Sequence, residues 1–574
     1  YLADEFIENE NFDQAIKMYN KLLENAPKNS ELNFKLGFCY LNTALQKDKS
    51  IEYLQKAVEY RSEKGNQKND APIESYYYLG RAYRVNYMFE KARDVFNDLK
   101  ERIPENEDYF HERIDWELEM CNNVINMVNQ PVEMNVHNLG PKINSAYTDH
   151  SPVITADKSV MIFTSRRENA TGGNKAFDGE YFEDIYISRW ADSSWQQPEP
   201  ISKNINTRKH EASIGLSADG QKLYIYRDER GDGDIYISTL EGEEWSKPEK
   251  LPEPINTKAR ETHASQTPDG SRLFFTSSRD GGKGGMDIYE VRKLPNGEWA
   301  KPLNLGDSIN TEHNEAGPYI MLDGRTLYFG SEGHNTIGGY DIFRSEYDPE
   351  TRTWSKAENI GYPVNTTGDD VYYVPTPKGQ GAYFVSQRED GYGKTDIYRV
   401  DLPQQEETPV TVVSGYIWQC TGEMPEIKIT VYDADNGEIY GIYRPNRETG
   451  KYLFVMNRGK NYSVDYEAFG NLIYQEQFYI PEDAPFRQIN RTIQIRTGEP
   501  CDDDTSMMPD YIVAELDDQG NFPIVYNGEV YDQQITIKNI LFPFGKATEI
   551  PPNKNLNRLA EYLNNYPKAR VEIG

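Results

Sequence analysis

No stretch of this sequence approaches the run of about eighteen apolar residues that a membrane-crossing helix needs. No secretory signal opens it either. Tyr1 already stands inside an amphipathic segment and Gly574 ends on a strand, so the chain is expected to continue in both directions. Cysteine is scarce. Cys39, Cys121, Cys420 and Cys501 lie too far apart for a Cys-x-x-Cys metal site. Cys420 and Cys501 bracket one predicted domain, where a disulfide and two free thiols are both open readings. Positive charge is short: 62 basic residues face 93 acidic ones, a formal net charge of -31. That balance excludes nucleic acid as a partner, because phosphate binding needs a basic stripe. The segment from Gln533 to Gly574 runs the other way, with six basic and three acidic residues, and is expected to meet a different partner. No Gly-x-Ser-x-Gly, His-Glu-x-x-His or Cys-His nucleophile pattern appears, and no enzymatic activity is expected.

What the sequence does have is a five-fold internal repeat between Asn138 and Leu402. Asp-Ile-Tyr or a near copy begins at Asp184, Asp234, Asp287, Asp341 and Asp396. Roughly nine residues after each of the first four comes a tryptophan: Trp195, Trp245, Trp299 and Trp354. An apolar-Asn-Thr step follows at Asn206, Asn256, Asn310 and Asn365. A period of about 50 residues built from short strands means a radial array, one blade per repeat. Each blade reads as an inner strand, a turn such as Asp219-Gly220 or Asp269-Gly270, an aromatic strand, a Gly-rich loop, the Asp-Ile-Tyr strand and an outer Trp strand. The fifth repeat has no Trp strand, while Leu139, Pro141, Ile143 and Asn144 look like the end of an orphan one. The segment near Asn135–Gly140 is therefore expected to complete the last blade and close the ring, removing its free edge.

Residues 1–130 read as helical hairpins. Tyr76, Leu79, Gly80, Tyr83, Ala92, Phe96, Leu99 and Pro104 fit the tetratricopeptide pattern, with Gly80 and Ala92 small where two helices cross. Leu36, Gly37, Tyr40, Leu54 and Ala57 repeat it with one extra residue, and Ala3, Phe6, Ala15, Tyr19 and Pro27 are the remains of an earlier copy. A capping helix is expected over 105–128. Such stacks offer a groove to peptides or helices, or serve as plain spacers. Residues 404–500 alternate as short strands with turns, the pattern of a small β-sandwich. The acidic stretch around Asp502–Ser506 reads as linker.

Three constellations are candidates for chemistry. Five residues after each repeat Asn sits a carboxylate: Asp149, Glu211, Glu261, Glu315 and Asp370. Together they make a candidate acidic ring at one channel mouth, for a cation or a basic peptide. The alternative is that each caps a turn or bonds a neighbouring blade, and that reading is favoured. The Gly-rich loops at 280–285 and 390–393 precede strands rather than helices and lack a closing Glu, so they read as hairpin loops, not phosphate or calcium sites. His150, His210, His263 and His313 fall near inner strands at differing offsets, and no metal or other cofactor is expected.

The tandem blades resemble the WD-like propeller repeats of bacterial envelope proteins, and the sandwich resembles the carboxypeptidase regulatory-like domain. The tail, with Ile540–Ala547, Leu556, Leu559, Ala560, Leu563 and Ala569–Gly574, is similar to the opening β-α-β of the OmpA C-terminal domain. That resemblance implies peptidoglycan binding. Phe544, Gly545 and Lys546 stand at its first-strand loop, and the main pocket residues would follow Gly574. Pro543 and Gly545 occupy places where the family often carries Asp and Asn. The order of parts resembles the PorE-type peptidoglycan-binding lipoproteins of the Bacteroidota, which are associated with type IX secretion.

The expected fold is thus multidomain. Tetratricopeptide helices fill 1–130, a five-bladed β-propeller 131–403, a regulatory-like sandwich 404–500, a linker 501–532 and the start of an α/β OmpA-like domain 533–574. The resemblance implies a periplasmic scaffold, tethered to the outer membrane by an N-terminal lipid. It would hold peptidoglycan on one side and protein subunits of an outer-membrane complex on the other. Rival readings are an accessory subunit of outer-membrane protein assembly, a general wall anchor, or a propeller-based hydrolase or lyase whose activity would fall when Glu261 and Glu315 become Gln.

Overall fold

The structure is a computed structural model and describes residues 2–62, 70–228, 231, 233–419, 424–496 and 511–515. The peptidoglycan-binding candidates Phe544, Gly545 and Lys546, the pair Cys420 and Cys501, and the acidic linker all lie outside the described residues. No described helix is long and apolar enough to cross a membrane.

The chain is multidomain and mostly β. It begins with helices α1 (Leu2–Glu8), α2 (Phe12–Asn25), α3 (Ser30–Leu41), α4 (Lys49–Glu59), α5 (Glu74–Val85), α6 (Phe89–Arg102) and α7 (Asp108–Asn129). The Asn29 side chain caps α3 by accepting from Leu32 N at 2.9 Å. The small residues do what their spacing predicts. A Cβ on Gly37 would lie 2.6 Å from Leu54 Cγ, and one on Gly80 2.6 Å from Phe96 Cε1. The two helices of each hairpin therefore touch backbone to side chain.

Five antiparallel sheets follow, two of four strands and three of five. Their inner strands are Asp149–Ile154, Glu211–Leu216, Glu261–Gln266, Glu315–Ile320 and Asp370–Pro375. Each inner strand lies against the next, and the last returns to the first, so the sheets form a closed five-bladed ring. The edge of the fifth blade is Asn135–Asn138, paired antiparallel with Asp396–Asp401. In the first, second and fourth blades the outer strand is broken in two. Ser194–Trp195 pairs near the far end of Asp184–Ala191, and Glu199–Pro200 pairs further back along it. The core lies between blades rather than within them. Ile143, Met161, Phe163, Trp195, Tyr383 and Val385, for instance, join the fifth blade to the first, and Trp195 Nε1 donates to Tyr383 Oη at 3.0 Å.

The sandwich sets Val410–Gln419, Lys451–Asn457, Arg487–Asn490 and Thr492–Arg496 against Ile427–Asp433, Ile439–Tyr443, Lys460–Ala468 and Asn471–Ile480. Its core holds Tyr452, Phe454, Tyr462 and Tyr466. One boundary differs from the sequence expectation. Tyr511–Glu515, placed in the linker by its acidic surroundings, pairs parallel with Thr492–Arg496 and extends that sheet. Parallel addition across an intervening stretch leaves no hairpin turn to read.

Candidate functional site

The five carboxylates that were candidates for an open acidic ring, against the favoured reading of local caps, do not form one. Asp149, Glu211, Glu261, Glu315 and Asp370 are all buried, at 0–1 % exposure. Each accepts from the backbone N–H of the residue four positions earlier, Ser145, Thr207, Thr257, Thr311 and Thr366, at 2.5–3.1 Å. Each thus closes a turn at the entry to its inner strand, which is the local reading of the pattern. Four of the five also have an arginine. Arg167 lies 2.9 Å from Asp149, Arg227 3.7 Å from Glu211, Arg279 3.1 Å from Glu261 and Arg388 3.6 Å from Asp370. In the fourth blade the corresponding group is His334, whose Nε2 lies 2.9 Å from Ile309 O instead. Glu315 therefore keeps only hydroxyl and amide donors, and burial pushes its carboxyl up to about 7 against the bonds from Thr311 and Ser331.

The repeat Asp residues make a second buried set. Asp287 accepts from Lys283 N and Gly284 N, Asp341 from Ile337 N and Gly338 N, and Asp396 from Tyr392 N and Gly393 N, at 2.5–3.2 Å. The Gly-rich loops thus curl around their own blade's Asp as hairpin loops. They also press on the next blade. A Cβ on Gly393 would fall 1.8 Å from Tyr147 O, and one on Gly338 2.1 Å from Gly368 O, so only glycine fits there.

The repeat asparagines staple blade to blade. Asn206, Asn256, Asn310 and Asn365 each bond both backbone groups of the Ile in the preceding blade's Asp-Ile-Tyr, at 2.8–3.0 Å. Asn144 does the same to Ile397. The residues that carry the repeat are therefore those that hold the ring shut. A second signal was present and unread: Asn138, Asn304 and Asn359 each precede a Gly by two positions and a stapling Asn by six. Each donates to its blade's Asp, at 2.7–2.8 Å.

With the acids engaged inside the blades, what is left is the two ends of the channel. The end carrying the Asp-Gly turns is covered by the sandwich. Val410, Val412, Leu453 and Val455 pack on Ala156, with Ala218 and Leu322 beside them. Lys451 Nζ lies 2.8 Å from Asp157, Asn446 Nδ2 donates to Gly242 O at 3.0 Å, and Thr408 N donates to Lys378 O at 2.8 Å. Burial alone would raise the Asp157 carboxyl, but the Lys451 ammonium with the Ser159 and Thr155 hydroxyls holds it at about 2.

The opposite end holds the polar cluster. Glu183 lies between His150 Nε2 at 3.5 Å and His210 Nδ1 at 3.2 Å. Burial opposes its charge, yet the two imidazoles hold its carboxyl below the usual range. His263 Nε2 lies 3.2 Å from Tyr372 Oη, and burial with the charges of His150 and Arg260 pushes His263 down to about 3, so it is neutral. All five inner strands slip register here, and Ser151 (φ 51°) and Tyr372 (φ 56°) take left-handed backbone despite having side chains. Of the four histidines read from the sequence, His150, His210 and His263 come together, while His313 lies outside and stacks on Trp116 at 4.6 Å. Among the described residues no group of His, Cys, Asp and Glu has metal-binding geometry.

The helical array stands over this end on the edge formed by its inter-helix turns. Asn11 Nδ2 donates to Phe177 O at 3.4 Å, Lys47 Nζ to Gln387 Oε1 at 3.0 Å, Arg84 Nη1 to Ile337 O at 2.9 Å and Thr367 Oγ1 to Val85 O at 3.0 Å. Arg84 is itself buried and paired with Glu117 at 2.8 Å. The propeller is thus held from both faces.

No protein-family model and no curated protein matches the sequence. Solved structures align with about half of the chain. TolB from Acinetobacter baumannii aligns at 15 % identity over 53 % of this chain and 72 % of its own, with a TM-score of 0.27. An α-L-arabinofuranosidase from Lactobacillus brevis aligns at 14 % identity over 46 % and 92 %, with a TM-score of 0.31. A glycosyl hydrolase from Bacteroides ovatus aligns at 10 % over 46 % and 86 %, also with a TM-score of 0.31. Likeness at that level carries no inference about what this chain does.

Proposed function

We propose that this protein is a non-catalytic periplasmic scaffold that ties an outer-membrane secretion assembly to the cell wall. The tail from Gln533 onward would grip peptidoglycan, and the helices and propeller would hold protein partners. The observation that carries the scaffold part is how the repeated acids are used. All five inner-strand carboxylates are closed within their own blades, and none is left exposed for acid–base work at the mouth. Both faces of the ring carry other domains, which suits a platform whose task is to fix distances between partners. The wall-binding part rests on the OmpA-like tail, and the periplasmic location and lipid tether on the order of parts.

The test is co-sedimentation with purified peptidoglycan, using the natural full-length protein and a version ending before Gln533. The anchor reading predicts that the full protein pellets and the shortened one stays in solution. If neither pellets, the chain is a scaffold attached by other means.

A further inference from the structure

His210 Nδ1 sits between two atoms of one residue. The backbone N–H of Glu183 approaches it from 3.4 Å, and the Glu183 carboxylate oxygen Oε2 lies 3.2 Å away. One ring nitrogen cannot serve both. With a proton it donates to the carboxylate, and without one it accepts from the backbone N–H. The His210 side chain is 36 % exposed, so that proton can exchange with solvent, and its ring lies 4.2 Å from that of Phe182. The other carboxylate oxygen faces His150 Nε2 at 3.5 Å, and His150 Nδ1 lies 2.8 Å from Ser151 Oγ. The remaining charged and titratable groups around the pair are accounted for. Arg260 lies over Tyr226, which also feels Asp228. His263 is neutral and bonded to Tyr372. Glu211, next to His210, turns inward onto Thr207, while Arg208 and Lys209 are exposed.

Glu183 ends the loop of residues 166–183, which leads into the Asp-Ile-Tyr strand of the first blade. The same loop seats the first helices. Phe177 O accepts from Asn11 Nδ2, and a Cβ on Gly179 would lie 2.8 Å from that nitrogen. We propose that His210 and Glu183 form a pH-operated latch that sets how firmly this loop seats α1 and α2. In acid, the His210 proton ties the carboxylate across the seam to the second blade, beside the backbone bond from Glu211 N to Glu183 O at 3.2 Å. As pH rises the proton leaves to solvent, Nδ1 takes the bond from the Glu183 N–H, and the carboxylate keeps only His150. The side-chain tie exists only with the proton bound, so its hold on the loop is present at low pH and lost as pH rises. This goes beyond the scaffold reading, since it makes one contact between helices and propeller adjustable.

Two measurements on the full chain test it. Nitrogen-15 spectra of labelled histidine read which ring nitrogen carries the proton. His210 is expected to carry both protons at about pH 5.5 and only the Nε2 proton at about pH 8. A neutral ring still protonated on Nδ1 at the higher pH overturns the proposal, because the tie to the carboxylate would survive. Hydrogen exchange, corrected for the intrinsic rate at each pH, reads the loop. Residues 171–183 are expected to exchange about tenfold faster at the higher pH, while residues 280–286 of the third blade do not change. His210→Gln offers a donor and an acceptor at either pH and is expected to make the two rates alike. Asp184, whose carboxyl burial raises and which accepts from Thr171 N, is kept in that variant. A tenfold difference that persists in His210→Gln therefore belongs to another group and overturns the proposal, as does the absence of any difference in the parent.

Discussion

Asn144 and Ile397, 253 positions apart, hold each other by two hydrogen bonds, Ile397 N to Asn144 Oδ1 at 2.9 Å and Asn144 Nδ2 to Ile397 O at 3.0 Å. This is the staple that joins the first blade to the last. The other four junctions use the same pair of bonds between residues 21 to 23 apart, so the chain closes its ring with the chemistry it uses everywhere else.

Removing that staple should loosen the seam more than the molecule. Asn144→Ala leaves the buried Ile397 N–H without a partner, while Ile397 O keeps the bond from Leu139 N, at a cost of about 1–3 kcal/mol. Amide exchange at Ile397 is expected to accelerate by about two orders of magnitude, while Ile288, stapled by Asn310, stays protected. Equal acceleration at both sites would mean that the ring opens as one unit.

The fourth blade should carry a pH dependence of its own. The folded-state carboxyl of Glu315 is raised to about 7 from 4.5, so the folded protein holds a proton that the unfolded chain releases. The stability this proton gives is fully present below the unfolded value and is lost as pH rises through about 7. The shift corresponds to about 3 kcal/mol. Glu315→Gln mimics the protonated form. Its melting temperature is expected to match the parent near pH 5 and to exceed it by several degrees at pH 8. A variant less stable than the parent at both pH values would show that the charge is needed.

Arg84 joins helices to propeller through a buried pair. Arg84→Gln leaves Glu117 buried at 3 % exposure beside Tyr77 and Arg81, a loss of about 3–5 kcal/mol. Protease sites between α7 and the first propeller strand are expected to open in that variant. Pairing it with Glu117→Leu should restore most of the protection, because the buried carboxylate that lost its shorter ion pair is then gone.

Much of this was legible in the sequence because repetition exposes geometry. The spacing of Asp-Ile-Tyr gives the blade count, the missing fifth Trp strand points to Asn135–Asn138, and Gly37 and Gly80 mark helix crossings. The fate of the five acids was harder to read, since a carboxylate at a strand entry looks the same whether it faces a channel or closes a turn. The signal that decides it is the arginine two residues after Ser165, Ser277 and Ser386, which the fourth blade lacks. The cluster of His150, Glu183, His210, His263 and Tyr372 was illegible as a unit, because strands and strand-entry loops of four blades supply it. Tyr511–Glu515 was missed because a short parallel edge strand has neither a turn nor a long pattern to announce it.

The central claim is that helices, propeller and sandwich form one rigid body that sets a distance. Spin labels at Asp13→Cys on α2 and Glu438→Cys on the sandwich, both exposed positions on opposite sides of the ring, report that distance by pulsed electron resonance in a background with Cys420 and Cys501 replaced by serine. A single narrow distance distribution is predicted, unchanged by added peptidoglycan. A broad or two-peaked distribution would contradict the account, since the propeller would then be a joint rather than a platform.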